Sequence, residues 1–364
     1  MTIIPTSAST GWRMTPDRGK ANRLSESVGS RVMKRSVFSV LDPFLLILLG
    51  VLALAALLPV QGQAAEVTDI AANIAIALLF FFHGAKLSRA AIMAGIGHWR
   101  LHLTVMAMTF AVFPLLGLGM GQLPPSILSP AIGMGILYLC LLPSTVQSSI
   151  AFTSIAGGNV PAAICSASAS NLLGIFLTPV LVGLLMHTTG QPGISLDALE
   201  SIMLQLLAPF VAGHLLQPLI GRFVQKHKQL ISYTDRGSIL LVVYSAFSAA
   251  VVDGLWHKVE WRDLAVITLA SLVLLGIVLG LSMLIGRAMG FKREDRIVLI
   301  FCGSKKSLVS GVPMAGVLFP AAQVGMIILP LMMFHQIQLI LCTWLAGRYR
   351  QQLEQEKAAG EIAG

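Results

Sequence analysis

The chain reads as a succession of long apolar runs joined by short polar connections. The runs fall near residues 43–60, 70–87, 101–121, 131–157, 161–186, 200–221, 239–256, 264–285, 296–319 and 324–346. Each approaches the roughly 20 residues that a helix needs to cross about 30 Å of hydrocarbon. Lipid offers no partner to a backbone N–H or C=O, so such a run is stable there only if it bonds to itself as a helix. The pattern predicts an all-α integral membrane protein with ten transmembrane helices.

Five runs precede residue 190 and five follow it, divided by the polar stretch HTTGQPGISLDAL. An odd number in each half makes equivalent helices run in opposite directions, so two inverted five-helix repeats are expected, over 41–190 and 191–347. Residues 1–40 are expected to be a disordered cytoplasmic tail, being rich in Ser, Thr and Arg, and 348–364 a second cytoplasmic tail with a polar helical end. Nothing before Phe38 forms the apolar core of a signal peptide, so cleavage by the secretory route is not expected.

Two runs at corresponding places in the halves are interrupted. Span 4 carries Pro143 at mid-depth, followed by Ser144, Thr145, Gln147, Ser148 and Ser149; span 9 carries Gly303, Ser304, Lys305, Lys306 and Ser307, then Pro313. Proline removes an N–H and clashes one turn back, which leaves carbonyls without donors at the depth where water is scarce. A proline kink alone would explain either run. Matching interruptions followed by polar residues point instead to a transporter's binding site. The two lysines sharpen this, since each would cost about 2.5–3.5 kcal/mol if it faced lipid at mid-bilayer. At least one of them is expected in a water-accessible cavity, and either could bind an anion, stand in for a bound cation or release a proton. As helix neighbours they would diverge by about 100°, so facing one ligand together requires unwinding.

Charge then orients the chain. Only 11% of residues are charged, less than half of the roughly 25% usual in soluble domains. Of the 25 Lys and Arg, 21 fall before span 1, after spans 2, 6 and 8, or in the C-terminal tail, whereas the opposite side has only Lys258 and Arg262. Basic residues collect on the cytoplasmic side, so both termini are expected there, in a multi-pass protein of the cell (inner) membrane. The basic residues lie between apolar spans rather than in a patch beside base-reading elements, so no nucleic acid partner is expected despite the net charge of +9. Cys140, Cys165, Cys302 and Cys342 have neither CxxC spacing nor flanking His, and read as buried thiols rather than a disulfide framework or metal site. The expected partners are the lipid bilayer and a small-molecule solute; the oligomeric state is not legible.

The remaining polar residues within spans are neutral. Thr109 lies in span 3, Ser166, Ser170 and Asn171 in span 5, and His83 and His335, candidates for a proton relay, in spans 2 and 10. Ser166 and Ser170 share a helix face and could line a path or simply join helices. No Asp or Glu lies near the middle of any span, so a carboxylate-based sodium or proton site is not expected. No nucleophile–base set, metal cluster or phosphate loop suggests an enzyme.

The stretches LLPSTVQSSIAFTSIAGGNVPAA, FCGSKKSLVSGVPM and LPLMMFHQIQLIL resemble the bile acid/sodium symporter family, in its sodium/bile acid cotransporter 7-like branch, and the similarity runs from span 1 to span 10. The resemblance implies a panel of spans 1, 2, 6 and 7, a core of spans 3–5 and 8–10 in which broken spans 4 and 9 cross, and alternating access between them. It also implies sodium ligands at positions that here hold Phe301, Lys305 and Thr109 in place of a glutamate and two glutamines, with Ser148 and Ser149 aligned to a Ser-Asn pair and Ser166 and Ser170 to span 5 hydroxyls. A related arsenite-extruding branch has a cysteine where Ser144 stands. The function expected is a secondary transporter of an organic anion or amphipathic solute, with no cofactor and with sodium or a proton as the candidate coupling ion; a Lys305 ammonium in the place of sodium would make it proton-coupled or uncoupled. A non-transporting membrane regulator or scaffold, and an arsenite-type efflux carrier, are the alternatives.

Overall fold

Every apolar run is helical in the computed structural model, which describes residues 43–86, 98–186, 196–254 and 260–363. The chain divides into two units, Met1–Pro43 and Phe44–Gly364. Apart from Pro43 the first lies outside the described residues, as does the expected disordered tail. Among the described residues the elements are α1 (Pro43–Leu57), α2 (Gln63–Lys86), α3 (Trp99–Ala107), which continues through a π turn (Met108–Val112) into α4 (Phe113–Gly121), α5 (Pro130–Leu141), α6 (Gln147–Ile155), α7 (Val160–Leu185), α8 (Leu196–Lys226), α9 (Lys228–Val252), α10 (Trp261–Ala288), α11 (Arg293–Gly303), α12 (Leu308–Leu318) and α13 (Ala321–Ala363). There is no strand among them. Eight segments are long and apolar enough to cross a membrane, among them 160–185, 261–288 and 293–318, and two shorter apolar helices, 46–57 and 130–141, accompany them.

Leu57, Leu115, Leu215, Leu219 and Leu284 point outward, as side chains do when the surrounding solvent is hydrocarbon. The segment 293–318 differs: its most apolar window is 94% buried against 22% for 63–86. The stretch that carries both lysines is therefore screened from lipid on every side. Around it Phe113, Tyr138, Leu142, Leu299 and Phe334 form one continuous core.

Two joints hold helices at backbone distance. A methyl on Gly84 of α2 would collide with the Phe210 carbonyl of α8, and one on Gly213 of α8 with the Phe81 carbonyl of α2, the close approach that small residues permit in membranes. α2 is also tied to α9 near both ends, where Ser245 donates to Asp69 and Lys86 to Asp235 (2.5 Å).

One expectation about the interruptions needs correction. In 293–318 the helix stops at Ser304–Ser307, and Pro313 lies within α12. Proline beyond the first turn is tolerated when its freed carbonyl is screened, and unwinding follows instead from side-chain partners that hold Lys306. The residues 348–350 and the polar end after them continue α13 as helix through Ala363.

Candidate functional site

Pro143 can neither donate nor fit a helical position, so α5 ends at Leu141 and the chain is extended at Leu142 (ψ 156°) before α6 resumes at Gln147. The last carbonyls of α5 lose their donors. The Ser144 N–H that would have closed onto Cys140 donates to Ser170 Oγ at 3.0 Å. Thr178 Oγ1 donates to Leu141 O at 2.8 Å. The oxygens of Cys140 and Leu142 accept from Lys306 Nζ at 2.8 and 2.6 Å.

A third oxygen comes from the π turn. There the Phe113 N–H reaches back to Met108 O, and the donor that would come next belongs to Pro114, which has none. Thr109 O is thereby freed, and it accepts from Lys306 Nζ at 2.9 Å. The three protons of the ammonium meet three main-chain oxygens, and the Phe113 ring centre lies 4.1 Å away. Thr109, read from the sequence for its side chain, contributes a carbonyl; its hydroxyl donates to Val105 O in its own helix.

Lys305 turns elsewhere. Its Nζ lies 3.8 Å from the centre of the Phe152 ring and 5.7 Å from that of Phe301. It is fully buried and its Nζ has no hydrogen-bond partner among the described residues. The ammonium that stands among main-chain oxygens is that of Lys306, whereas Lys305, expected to take the place of sodium, lies against the rings of Phe152 and Phe301. Neither lysine is exposed to solvent; freed carbonyls and aromatic faces take the place of the water expected around them.

Hydroxyl groups close the end of α11. Ser304 Oγ donates to Ile300 O at 2.5 Å, Ser149 Oγ to Phe301 O at 2.8 Å and Ser144 Oγ to Cys302 O at 2.6 Å. Ser307 begins α12, its Oγ accepting from Ser310 N at 3.2 Å while its own N–H donates to Pro143 O at 2.9 Å. Tyr138 spans the same joint, donating to Gly311 O at 2.6 Å. The structure therefore brings Ser144, Ser149, Gly303, Ser304, Lys305, Lys306 and Ser307 into one neighbourhood. Thr145 and Ser148 bond to each other at 2.8 Å beside it. Asn171 links the two interruptions, donating to Ser144 O at 2.6 Å and accepting from Ser310 Oγ at 2.7 Å. Ser166 pairs with His102 Nδ1 at 2.7 Å, and Gln147 is exposed. His83 Nδ1 lies 2.8 Å from Leu79 O in its own helix, and His335 Nδ1 meets Gln338 Nε2 at 2.9 Å.

Gln338 is the residue that sequence reasoning missed. Its Oε1 accepts from Lys306 N and its Nε2 donates to Lys306 O, both at 3.0 Å, which supplies from one side chain the two bonds that a neighbouring strand would make. An amide buried within the apolar run LPLMMFHQIQLIL was the signal available. Gln338→Leu strands both Lys306 backbone groups at about 1–3 kcal/mol each. A clear drop in melting temperature of the detergent-purified protein is expected, and an unchanged melt would show that the amide does not hold this stretch.

Two interrupted helical segments thus meet around two buried lysines inside a bundle with an apolar exterior. A sequence profile of the SBF-like CPA transporter family matches residues 42–351. The chain belongs to this family. YfeH of Escherichia coli (strain K12), which carries symporter as a provisional name, is 55% identical over 325 residues, 89% of this chain and 98% of its own. Protein PA2026 of Pseudomonas aeruginosa is 55% identical over 318 residues, 87% of this chain and 96% of its own. Sodium/bile acid cotransporter 7 of Danio rerio is 24% identical over 292 residues, 76% and 85% of the two chains. The resemblance drawn from the motifs of spans 4, 9 and 10 holds at the level of the family, and this SBF-like chain is a multi-pass membrane protein of bile acid/sodium symporter-like transporters.

Proposed function

We propose that this SBF-like transporter is a secondary active carrier of an organic anion or amphipathic solute, working by alternating access without the sodium sites usual in its family. One observation carries the reading. Of two adjacent, fully buried ammonium groups, Lys306 is saturated by three main-chain oxygens and Lys305 has no acceptor among the described residues. Lys306 supplies, as a covalent part of the chain, the positive charge that a coordinated ion would bring, so a sodium gradient has no site to act on there; the ion coupled, if any, is the proton. Lys305 is the charge left for an anion, with Phe152 and Phe301 as the apolar wall beside it. In this reading ten spans form two inverted repeats, segments 130–155 and 293–318 are the broken helices that cross in the core, and both termini lie in the cytoplasm, as the distribution of Lys and Arg supports.

The test is uptake of a panel of amphipathic carboxylates and sulfonates, a bile acid among them, into proteoliposomes. At least one solute is expected to accumulate at the same rate when sodium is replaced by choline. Strict dependence on sodium overturns the reading.

A further inference from the structure

Away from the two lysines, the turn between α10 and α11 reverses at Gly290, which takes φ +69°, and sets Arg287 at the end of α10 close to Arg293 and Arg296 at the start of α11. α13 runs past this corner and adds Arg348. The four arginines, together with Met283, Ile300, Leu345 and Tyr349, line a cavity of about 530 Å³, within the range of small-ligand sites.

The charges in this cavity are not balanced from within. Arg293 Nη2 donates to Tyr349 O at 3.0 Å, and the Arg348 guanidinium lies 5.0 Å from the Trp344 ring centre. Neither is an ion pair, and among the described residues Arg287 and Arg296 have none either; the two ion pairs present are Lys86–Asp235 and Arg350–Glu354. Glu356 is the one carboxylate in the lining. Asp295, next to Arg296 in the chain, accepts from Asn159 Nδ2 at 2.9 Å. Guanidinium groups gathered at this density repel one another through a dielectric lower than that of water. They present forked donors that match the oxygens of phosphate. Met283, Ile300 and Leu345 add apolar surface to the lining, so the cavity accepts an anion that carries hydrocarbon.

Basic residues that merely follow the positive-inside bias would spread over a surface. Here they converge from three helices on a concave space.

We propose that this cavity is a binding site for a phosphate-bearing anion, held by Arg287, Arg293, Arg296 and Arg348. Occupancy would clamp α11 between α10 and α13. Two sources carry this chemistry, the headgroup of an anionic lipid and a soluble phosphate ester. The proposal does not depend on the transport reading, because it concerns equilibrium binding alone.

The experiment uses the full chain purified in a neutral maltoside, with its thermal melt followed in the presence of dioleoylphosphatidylglycerol, dioleoylphosphatidylcholine or glycerol 1-phosphate. Phosphatidylglycerol at saturation is expected to raise the melting temperature by roughly 5 °C. The same rise with glycerol 1-phosphate identifies the phosphate as sufficient; a rise with the lipid alone assigns the site to a headgroup with its chains. The shift should vanish in Arg293→Gln/Arg348→Gln and persist in Arg350→Gln, whose arginine is paired with Glu354 outside the cavity. Should the double variant fail to fold, Arg348→Gln, altered only at an exposed position, is expected to weaken binding roughly tenfold. No shift with either anion, an equal shift with phosphatidylcholine, or a shift undiminished in the arginine variants would overturn the proposal.

Discussion

Lys306→Met is expected to cost most of the stability of the fold. The substitution keeps the length of the side chain but leaves the oxygens of Thr109, Cys140 and Leu142 buried without donors. Each stranded acceptor costs about 1–3 kcal/mol, roughly 3–9 in all, against a total stability of about 5–15 kcal/mol for a typical protein. Relief from burying the charge offsets part of this, yet the variant should give at least tenfold less folded protein by size-exclusion chromatography, or melt more than about 10 °C lower. Lys306→Arg should not restore it, because a planar fork cannot place three protons on oxygens that converge from three sides. Lys306→Ala leaves a ring of carbonyls the size of a small cation, so methylammonium or an alkali ion should raise its melting temperature where it leaves the wild type unmoved. A Lys306→Met variant as stable as the wild type would dispose of the tethered-cation account.

The adjacent lysine should behave in the opposite way. Lys305 has no acceptor, and its compensation in the described structure is the face of Phe152 at 3.8 Å, worth about 2 kcal/mol for a desolvated pair. An unpaired buried charge costs several kcal/mol, so Lys305→Met is expected to leave the melting temperature unchanged or raise it. If the ammonium meets an anionic solute, uptake in proteoliposomes should fall at least about 100-fold, equivalent to about 2.7 kcal/mol of lost binding. Unaltered uptake would remove Lys305 from the transport site. A melt that collapses in Lys305→Met but not in Lys306→Met would show that the two roles are exchanged. The contrast is sharp because the residues are neighbours of the same chemical type, so nonspecific effects of losing a membrane lysine cancel between them.

Much of the site was legible before any coordinates. Pro143 announced an interruption, because the missing N–H is a property of the residue itself. Lys305 and Lys306 announced a special environment, because an ammonium in hydrocarbon is costly wherever it is placed. The reading went astray at Pro313, which sits inside α12; it gave the cation's place to Lys305, whereas the main-chain oxygens gather around Lys306. It also treated Ser144, Ser149 and Ser304 as candidate ligands for a solute or an ion. Their hydroxyl protons close the last carbonyls of α11 in the structure, a need that arises only once the helix is known to end at Gly303. Gln338 was overlooked because an amide in an apolar run reads the same whether it glues two helices or replaces a missing backbone neighbour.

What the amino-acid order determined alone is the class of solvent and the positions of the helices. Those follow from local rules: hydrocarbon satisfies no backbone group, so every long apolar run must bond to itself, and basic residues collect on one face. Which of two adjacent ammonium groups is satisfied was decided only by the tertiary structure. The deciding oxygens belong to Thr109, Cys140 and Leu142, and the amide that holds the unwound stretch to Gln338, residues distant in sequence from the lysines. A charge of this kind is stabilised by the geometry of acceptors converging in space, and one-dimensional spacing does not encode that convergence.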